Sequence, residues 1–454
     1  MYHSKQTTLL LPQIVTRPLT SNWTCKLDDV DEGALFTFAD KEGTTHMVRL
    51  KYILFPSEGF FSRFRGTIRV ECACEVHCAY DDHYEWSGKK PVLKLSFLIE
   101  TRTSEQTCMD CCEEKAQLAE QAWVLNHLSN IYWTFKMPVI DDTLKDESEE
   151  DINIENEMLI IQGSIEEELI MSQNLEIAEE YAQVFYDIAQ CHYWVYTYVH
   201  ILHRELNLAN IMVGEKDGKK YGVLNDWDLA ISLDKQGATP TLHYRTGTRP
   251  YMALEQHSCK WKGLHRYRYD LESLFYAILL VASSPSPSEE CEQDSDDDAE
   301  DYCHWIDYGN RFLHREKKFI IILPSWEPTV THFFRGFFQW LTELQTCLNH
   351  GFHAFWRHQR DEMDAAEAAK NRERKQKKGK SQGEEWQPQP QQVLSIFDED
   401  TLGGHFSYKN MVFIMHQFCG KELETRSVEW QEMVQKQKQL QTERTGTDGM
   451  AQDG

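Results

Sequence analysis

The block His203-Arg204-Glu205-Leu206-Asn207-Leu208-Ala209-Asn210, followed by Asn225-Asp226-Trp227-Asp228, decides how this chain is read. Between its two parts lie short apolar runs at 211–213 and 221–224, separated by the turn signal Glu215-Lys216-Asp217-Gly218-Lys219. If Val213 pairs with Tyr221, Asn210 falls opposite Leu224 and Asp226 projects just past the strand end. An amide oxygen and a carboxylate then converge where a hard cation takes oxygen ligands. Glu205 sits earlier in the loop, where a carboxylate can meet a substrate hydroxyl. Two groups to hold magnesium and one to orient a nucleophile is the layout of phosphoryl transfer. The plainer alternative makes Asn210 and Asp226 turn caps and His203 a core histidine.

Upstream of the block the pattern is helical. Ala182, Phe185, Ile188, Ala189, His192, Val195 and Val199 recur at helical spacing. Earlier still the text reads as strands at 35–38, 46–54, 66–76 and 92–98, then a helix over 109–129, then strands at 158–162 and 169–172. Downstream, helices are expected at 270–281 and 332–348, and a polar one over 427–443. Two stretches read as solvated: the acidic 141–157, and 283–301, rich in Ser, Pro, Asp and Glu, which is expected to be disordered. Within it, Ser288 and Ser295 precede runs of acids and suit acidophilic kinases. Strands first and helices second indicate an α+β class.

The 454 residues suffice for a two-lobed catalytic domain with extensions, and 54 aromatics (13 Trp, 19 Tyr, 22 Phe) supply a sizeable core. A formal net charge of -26 argues against nucleic acid and anionic membranes as partners. The apolar run at 274–282 is about half a membrane span, and the start of the chain carries no signal-peptide pattern. An intracellular protein, cytoplasmic or nuclear, is expected. The 13 cysteines, an odd number, fit free thiols. Cys72, Cys74 and Cys78, and Cys108, Cys111 and Cys112, either offer thiolates to zinc or serve as small apolar residues; neither cluster has paired CxxC spacing. The basic run 370–380 fits a nuclear localisation signal or a solvated linker.

These motifs together resemble the fungal-type protein kinase family of the protein-kinase-like superfamily. That family shows an HRD-type loop with Asn five residues after the acid, DFD or DWD in place of DFG, then GT-x-x-[FY]-M-A-x-E and DLES-x-x-Y. This chain has HRELNLAN at 203–210, DWDLA at 226–230, RTGTRPYMALE at 245–255 and YDLESLFYAIL at 269–279. The resemblance implies a bilobal protein-kinase-like fold, with a β-rich N-lobe and a mainly helical C-lobe. It implies that His203 and Arg204 brace the loop and that Glu205 stands where the catalytic Asp belongs. Asn210 and Asp226 would ligate Mg2+, and Gly247 and Thr248 would lie in the peptide-docking segment. Glu255 would close that segment, paired with a buried Arg, and Asp270 would anchor the loop backbone.

In the first lobe, Pro91-Val92-Leu93-Lys94 resembles the strand that carries the phosphate-binding lysine. Alternation puts Val92, Lys94 and Ser96 on one face; the alternative for Lys94 is an exposed strand lysine. Its partner is read as Glu120, with Glu113 and Glu114 also open. Gly66-Thr67 resembles the phosphate-covering loop with one glycine, the fuller GxGxxG being absent. Met171 to Leu175 would be the hinge that touches adenine. The expected organisation is a lead-in at 1–34, an N-lobe at 35–175, a C-lobe at 176–360 with the insertion 283–301, a charged and Gln/Pro linker at 361–395, and an extension at 396–454.

The expected function is an ATP-dependent protein kinase acting on Ser or Thr hydroxyls of a protein substrate, with low activity. The alternative is a pseudokinase, an ATP-binding or scaffolding module. Small-molecule phosphotransferases share the hairpin but lack an element like the 245–255 segment. The sequence names neither the substrate nor the oligomeric state.

Overall fold

In the computed structural model, residues 35–39, 45–55, 65–72, 91–99, 103–138, 159–235, 247–258, 261, 264–284, 302–380, 396–427, 430–432 and 434–436 are described. The acidic 141–157, most of 283–301 with Ser288 and Ser295, Cys74, Cys78, the lead-in and the Gln/Pro stretch lie outside them. The described residues fall into two compact units. One holds those up to Glu114, Leu128–Ile170 and Asp226–Asp228; the other holds Lys115–His127, Met171–Asn225 and those from Leu229 on.

The first unit is built on a six-stranded antiparallel sheet. Its strands are β1 (Leu35–Ala39), β2 (Thr45–Phe55), β3 (Arg65–Cys72), β4 (Pro91–Ile99), β5 (Ile131–Pro138) and β6 (Leu159–Glu167). Their order is β1-β2-β3-β4-β6-β5, which makes β4 a central strand. Pro91 opens β4, a place where a missing backbone donor is tolerated. Lys94 lies opposite Thr67 of β3 and Ser164 of β6. Strand β5 was not among the sequence expectations, although Ile131-Tyr132-Trp133-Thr134-Phe135 has strand composition.

Helix α1 runs Glu105–Leu118, earlier than the expected 109–129, and a 3-10 turn, Ala122–His127, follows it. The physical reason is Ser104. Its hydroxyl accepts the Thr107 amide at 3.3 Å and its carbonyl accepts the Cys108 amide, so it caps the helix and the first turn begins at Glu105. Cys108, Cys112 and Ala116 recur every fourth residue and are buried. That burial raises the Cys108 thiol and pushes Cys112 up to about 12. Thiolates are therefore disfavoured there, and these two cysteines serve the core.

The long part of the second unit opens with the end of β7 (Ile170–Met171) and a 3-10 turn, then α2 (Ala178–Trp194), a π turn (Val195–Val199) and β8 (Ile201–Leu202). The hairpin β9 (Ile211–Lys216) and β10 (Lys219–Leu224) follows, with β11 (Ile231–Ser232) pairing β8. The hairpin register differs by one residue from the expectation. Tyr221 faces Gly214 and Leu224 faces Ile211, so Asn210 is joined to Asn225, whose amide donates to the Asn210 carbonyl at 2.9 Å. The turn contains only Asp217 and Gly218, both with positive φ (53° and 73°), and that two-residue turn fixes the pairing.

Helix α3 (Tyr267–Ala282) is buried along its whole length, so the apolar run at 274–282 is the core of this unit. Among the described residues no helix is long and apolar enough to cross a membrane. Helix α4 (Asn310–Ile322) and the 44-residue α5 (Phe337–Lys380) follow. Strong helix formers such as Ala365, Ala366, Glu367, Ala368 and Ala369 carry α5 through 361–380, in place of the linker expected there. Helix α6 (Tyr408–Met415), capped by Ser407, and the short pair β12 (Gln417–Phe418) and β13 (Lys421–Glu422) close the unit. Residues 408–426 are packed into it: Tyr408 stacks on Tyr193 at 3.8 Å, and Arg426 reaches the buried Asp187 of α2 through two bonds of 2.9 and 3.1 Å.

Candidate functional site

The expected site residues divide between the two units. In the first unit, Lys94 is only 7% exposed and its amine is held by Glu105, by Asp226 at 3.2 Å and by Asp228 at 3.8 Å. Glu105 corrects the expected pairing with Glu120. Glu120 is exposed, in the turn after α1, with a positive φ of 53°. The helix that carries the partner starts one turn earlier than the apolar pattern suggests, and the Ser104 cap was the signal that could have found it. Glu113 and Glu114 are exposed on α1 as well.

Glu105 does more than neutralise the lysine. Its other carboxylate oxygen accepts the Trp227 amide at 3.0 Å and the Ser129 hydroxyl at 3.4 Å. Carboxylate oxygens of Glu105, Asp226 and Asp228 lie within 4.8 Å of one another, all three buried. A fourth acid that sequence reading missed, Glu166 of β6, is buried beside them and accepts the Ser164 hydroxyl. Burial pushes its carboxyl up to about 7 against the pull of Lys94, and Glu105 and Asp228 add to the rise. Four carboxyl groups thus surround one amine. Asp226 itself has a positive φ of 65°, a strained backbone for a residue with a side chain, of the kind that clusters at functional sites. Gly66 lies on β3 opposite Leu95, the neighbour of Lys94.

In the second unit the loop 203–210 is held by a closed set of hydrogen bonds. His203 is fully buried; its Nε2 donates to the Asn225 carbonyl at 3.0 Å, which leaves Nδ1 to accept the Glu205 amide at 3.3 Å. Arg204 has a φ of 71°, and its amide donates to Asp270 at 3.2 Å. Asp270, at the start of α3, also takes His192 at 2.9 Å and His265 at 2.7 Å. Burial alone would raise its pKa, but those two imidazoles hold the carboxyl well below the usual range. Both expected roles, loop bracing by His203 and backbone anchoring by Asp270, therefore have a visible physical basis.

Glu205, Asn207 and Asn210 are each about 5–6% exposed. Asn207 accepts the amides of Ala209 and Asn210 at 2.9 and 3.2 Å, which sets the turn. The Asn210 amide nitrogen donates to the Glu205 carbonyl at 2.8 Å, so its oxygen is the atom left for a cation. The Thr248 hydroxyl donates to the Glu205 carboxylate at 3.4 Å and accepts from Asn207 at 3.3 Å. Thr248 therefore marks where a hydroxyl can meet this carboxylate. Gly247 has a φ of 120°, and a Cβ there would meet Met252 at 3.1 Å.

The segment after Thr248 is fastened from beneath. Glu255 is bonded to the fully buried Arg268, and Glu272 accepts the Leu254 amide at 2.7 Å. Lys317 of α4, also fully buried, donates to the Met252 carbonyl at 2.5 Å and lies 3.8 Å from the Tyr276 ring centre. Burial holds its pKa well below the usual value.

The family model described as fungal protein kinase matches residues 170–282. No curated protein matches the chain. Among solved structures, the PK-1 kinase of Cydia pomonella granulovirus is similar at 11% identity and a TM-score of 0.37, over 66% of this chain and 86% of that one. The matched segment holds HRELNLAN, DWDLA and YDLES, and over it this chain is similar to the fungal protein kinase family.

Proposed function

We propose that this chain is an ATP-dependent protein kinase that transfers the γ-phosphate of Mg-ATP to a Ser or Thr hydroxyl of a protein substrate, slowly. The observation that carries this reading is the loop itself: a buried carboxylate, Glu205, already accepts a threonine hydroxyl, in a segment matched by a kinase family. The donor sets suit the cofactors. Asn210 and Asp226 offer amide and carboxylate oxygens, which magnesium prefers, and Lys94 offers the ammonium that a phosphate oxygen takes. Magnesium supplies charge neutralisation at the transferring phosphate. Glu205 would orient the substrate hydroxyl and take its proton at a carboxylate oxygen. Thr248 and Gly247 would line the approach of the substrate peptide.

Slowness follows from two departures. Glu carries one methylene more than the Asp usual at that place, which moves the carboxylate by roughly 1.5 Å, one C–C bond. A misplacement on the order of 1 Å costs about a hundredfold in rate. Asn207 stands two residues after Glu205, where many kinases have a lysine, and brings no charge to the phosphate.

The pseudokinase reading has one observation of its own. Glu105, Asp226 and Asp228 gather on Lys94, so the groups that would hold cation and phosphate neutralise each other. Radiolabelled ATP with Mg2+ or Mn2+ separates the two readings. A kinase labels a protein substrate, and Glu205→Ala loses the label while keeping the thermal shift that Mg-ATP gives. Equal silence of wild type and Glu205→Ala, with the shift intact, leaves the pseudokinase. No shift at millimolar Mg-ATP removes the kinase and the ATP-binding pseudokinase and leaves a scaffolding module.

A further inference from the structure

Away from the site, the second unit has a cavity of about 320 Å³ walled by Trp261, Phe352, Phe355 and Trp356, with His314 and Lys318 of α4 on one side. Its one acid, Glu255, is already bonded to Arg268. The cations of α4, two of them on the cavity wall, have no such partner among the described residues. Among the described residues, Arg311, His314, Arg315 and Lys318 form no ion pair with a carboxylate. Lys318 lies 5.5 Å from the Trp356 ring centre. Burial and the nearby Lys318 charge both lower the His314 pKa, which marks the wall as electropositive.

The same ridge of α4 exposes large apolar groups: Phe312 at 42%, Phe319 at 51% and Ile322 at 36%. Arg311, Arg315 and Lys318 are exposed between them. Cations and apolar side chains thus alternate along one helix face, beside an aromatic cavity.

We propose that this cavity and the α4 ridge form a docking site for an acidic peptide segment of a partner protein. One large apolar side chain of that segment would enter the cavity, and flanking carboxylates would meet Lys318, His314, Arg315 and Arg311. Two arguments favour a peptide. The row from Arg311 to Lys318 runs for about 10 Å of helix, more than one small carboxylate covers. The chain as a whole carries a net charge of -26 and repels acidic segments, so a local cationic ridge is the place where one can settle. The proposal goes beyond the kinase reading and does not depend on it, because docking is read without phosphoryl transfer.

Fluorescence anisotropy with a short labelled peptide of Glu and Asp around a single central Phe tests it on the full chain. Saturable binding that weakens with salt is expected. Replacing the peptide's Phe with Ser should weaken it about tenfold, the scale of a buried anchor. The protein pair Arg315→Glu with Lys318→Glu should weaken it at least about tenfold, while the charge-matched pair Arg335→Glu with Lys421→Glu leaves it unchanged. All are surface changes, and melting curves will show that they fold. No saturable binding, equal loss in the control pair, or equal binding of the Ser peptide each overturns the proposal. So does binding that appears only after residues 288–300 are deleted, because the occupant is then the chain's own acidic stretch.

Discussion

The two sets of expected site residues, one in each unit, hold their charges in opposite ways. Around Lys94, three buried carboxyl groups share one amine, and burial pushes the neighbouring Glu166 up to about 7 against the pull of Lys94. Around Glu205, the loop is tied by neutral hydrogen bonds such as Asn210 to Asn207 and to the Glu205 carbonyl, and the charge that anchors it, Asp270, has two histidines of its own. The first set is over-supplied with negative charge and will change most when a cation or phosphate is added or removed. The second is tied by neutral bonds and will change least. This difference is physical: a buried charge without enough partners costs several kcal/mol, whereas a satisfied neutral bond contributes only about 1 kcal/mol.

The largest effect should come from removing the shared amine. Lys94→Met leaves the carboxyl groups uncompensated, and a loss of about 3–5 kcal/mol in urea unfolding is expected, together with loss of the Mg-ATP thermal shift. A variant as stable as wild type would mean that the acids simply protonate, and the contrast between the two sets would weaken.

Next is Asp270→Asn, which keeps the shape but removes the charge that His192, His265 and the Arg204 amide share. A loss of about 3 kcal/mol is expected, with transfer activity falling while the nucleotide shift persists. Loss of that shift alone, with stability intact, would contradict the assignment of Asp270 to the loop.

The third change leaves stability alone. Glu205→Asp should raise transfer by up to about a hundredfold, the scale of a 1 Å correction. If it is no faster, the loop has adapted to the longer side chain, and Thr248 at 3.4 Å marks a working distance already reached.

The smallest is a pH effect in the fastened segment. Burial, and then Lys317, push His257 down to about 3. The unfolded chain, with an ordinary histidine near 6.5, binds the proton between these values, so stability falls as pH drops through 6.5 toward 3. About 1 kcal/mol should be lost between pH 7 and pH 5.5 on this account. His257→Asn should flatten that part of the slope; an unchanged slope would assign it to other groups.

What the sequence made legible follows the same division. The loop at 203–210 could be read because its bonds are local: Asn207 to Ala209, Asn210 to Glu205, His203 to Glu205. The α+β order was legible for a related reason, since periodicity is also local. The Lys94 cluster was only half legible. Lys94 and Asp226 stood in motifs, but Glu105 hides behind a serine cap, and Glu166 sits in the acidic run Glu166-Glu167-Glu168, between the two expected strands 158–162 and 169–172. Nothing short of the paired strands says that this acid turns inward. The hairpin register was off by one because Asp217-Gly218 makes the turn with two residues rather than five.

The bond between Arg426 and Asp187 joins residues 239 positions apart in the chain. A ribosome adding roughly 5–20 residues per second takes on the order of tens of seconds to cover that distance. Throughout that interval Asp187 has the Gly222 amide and Gln183 but no cation, and Tyr193 has no Tyr408 to stack against. The loop that would carry out the chemistry is made well before Arg426, while the helix leading into it waits for that arginine to emerge. Nascent chains paused before Arg426 should therefore depend on chaperones more than finished ones do.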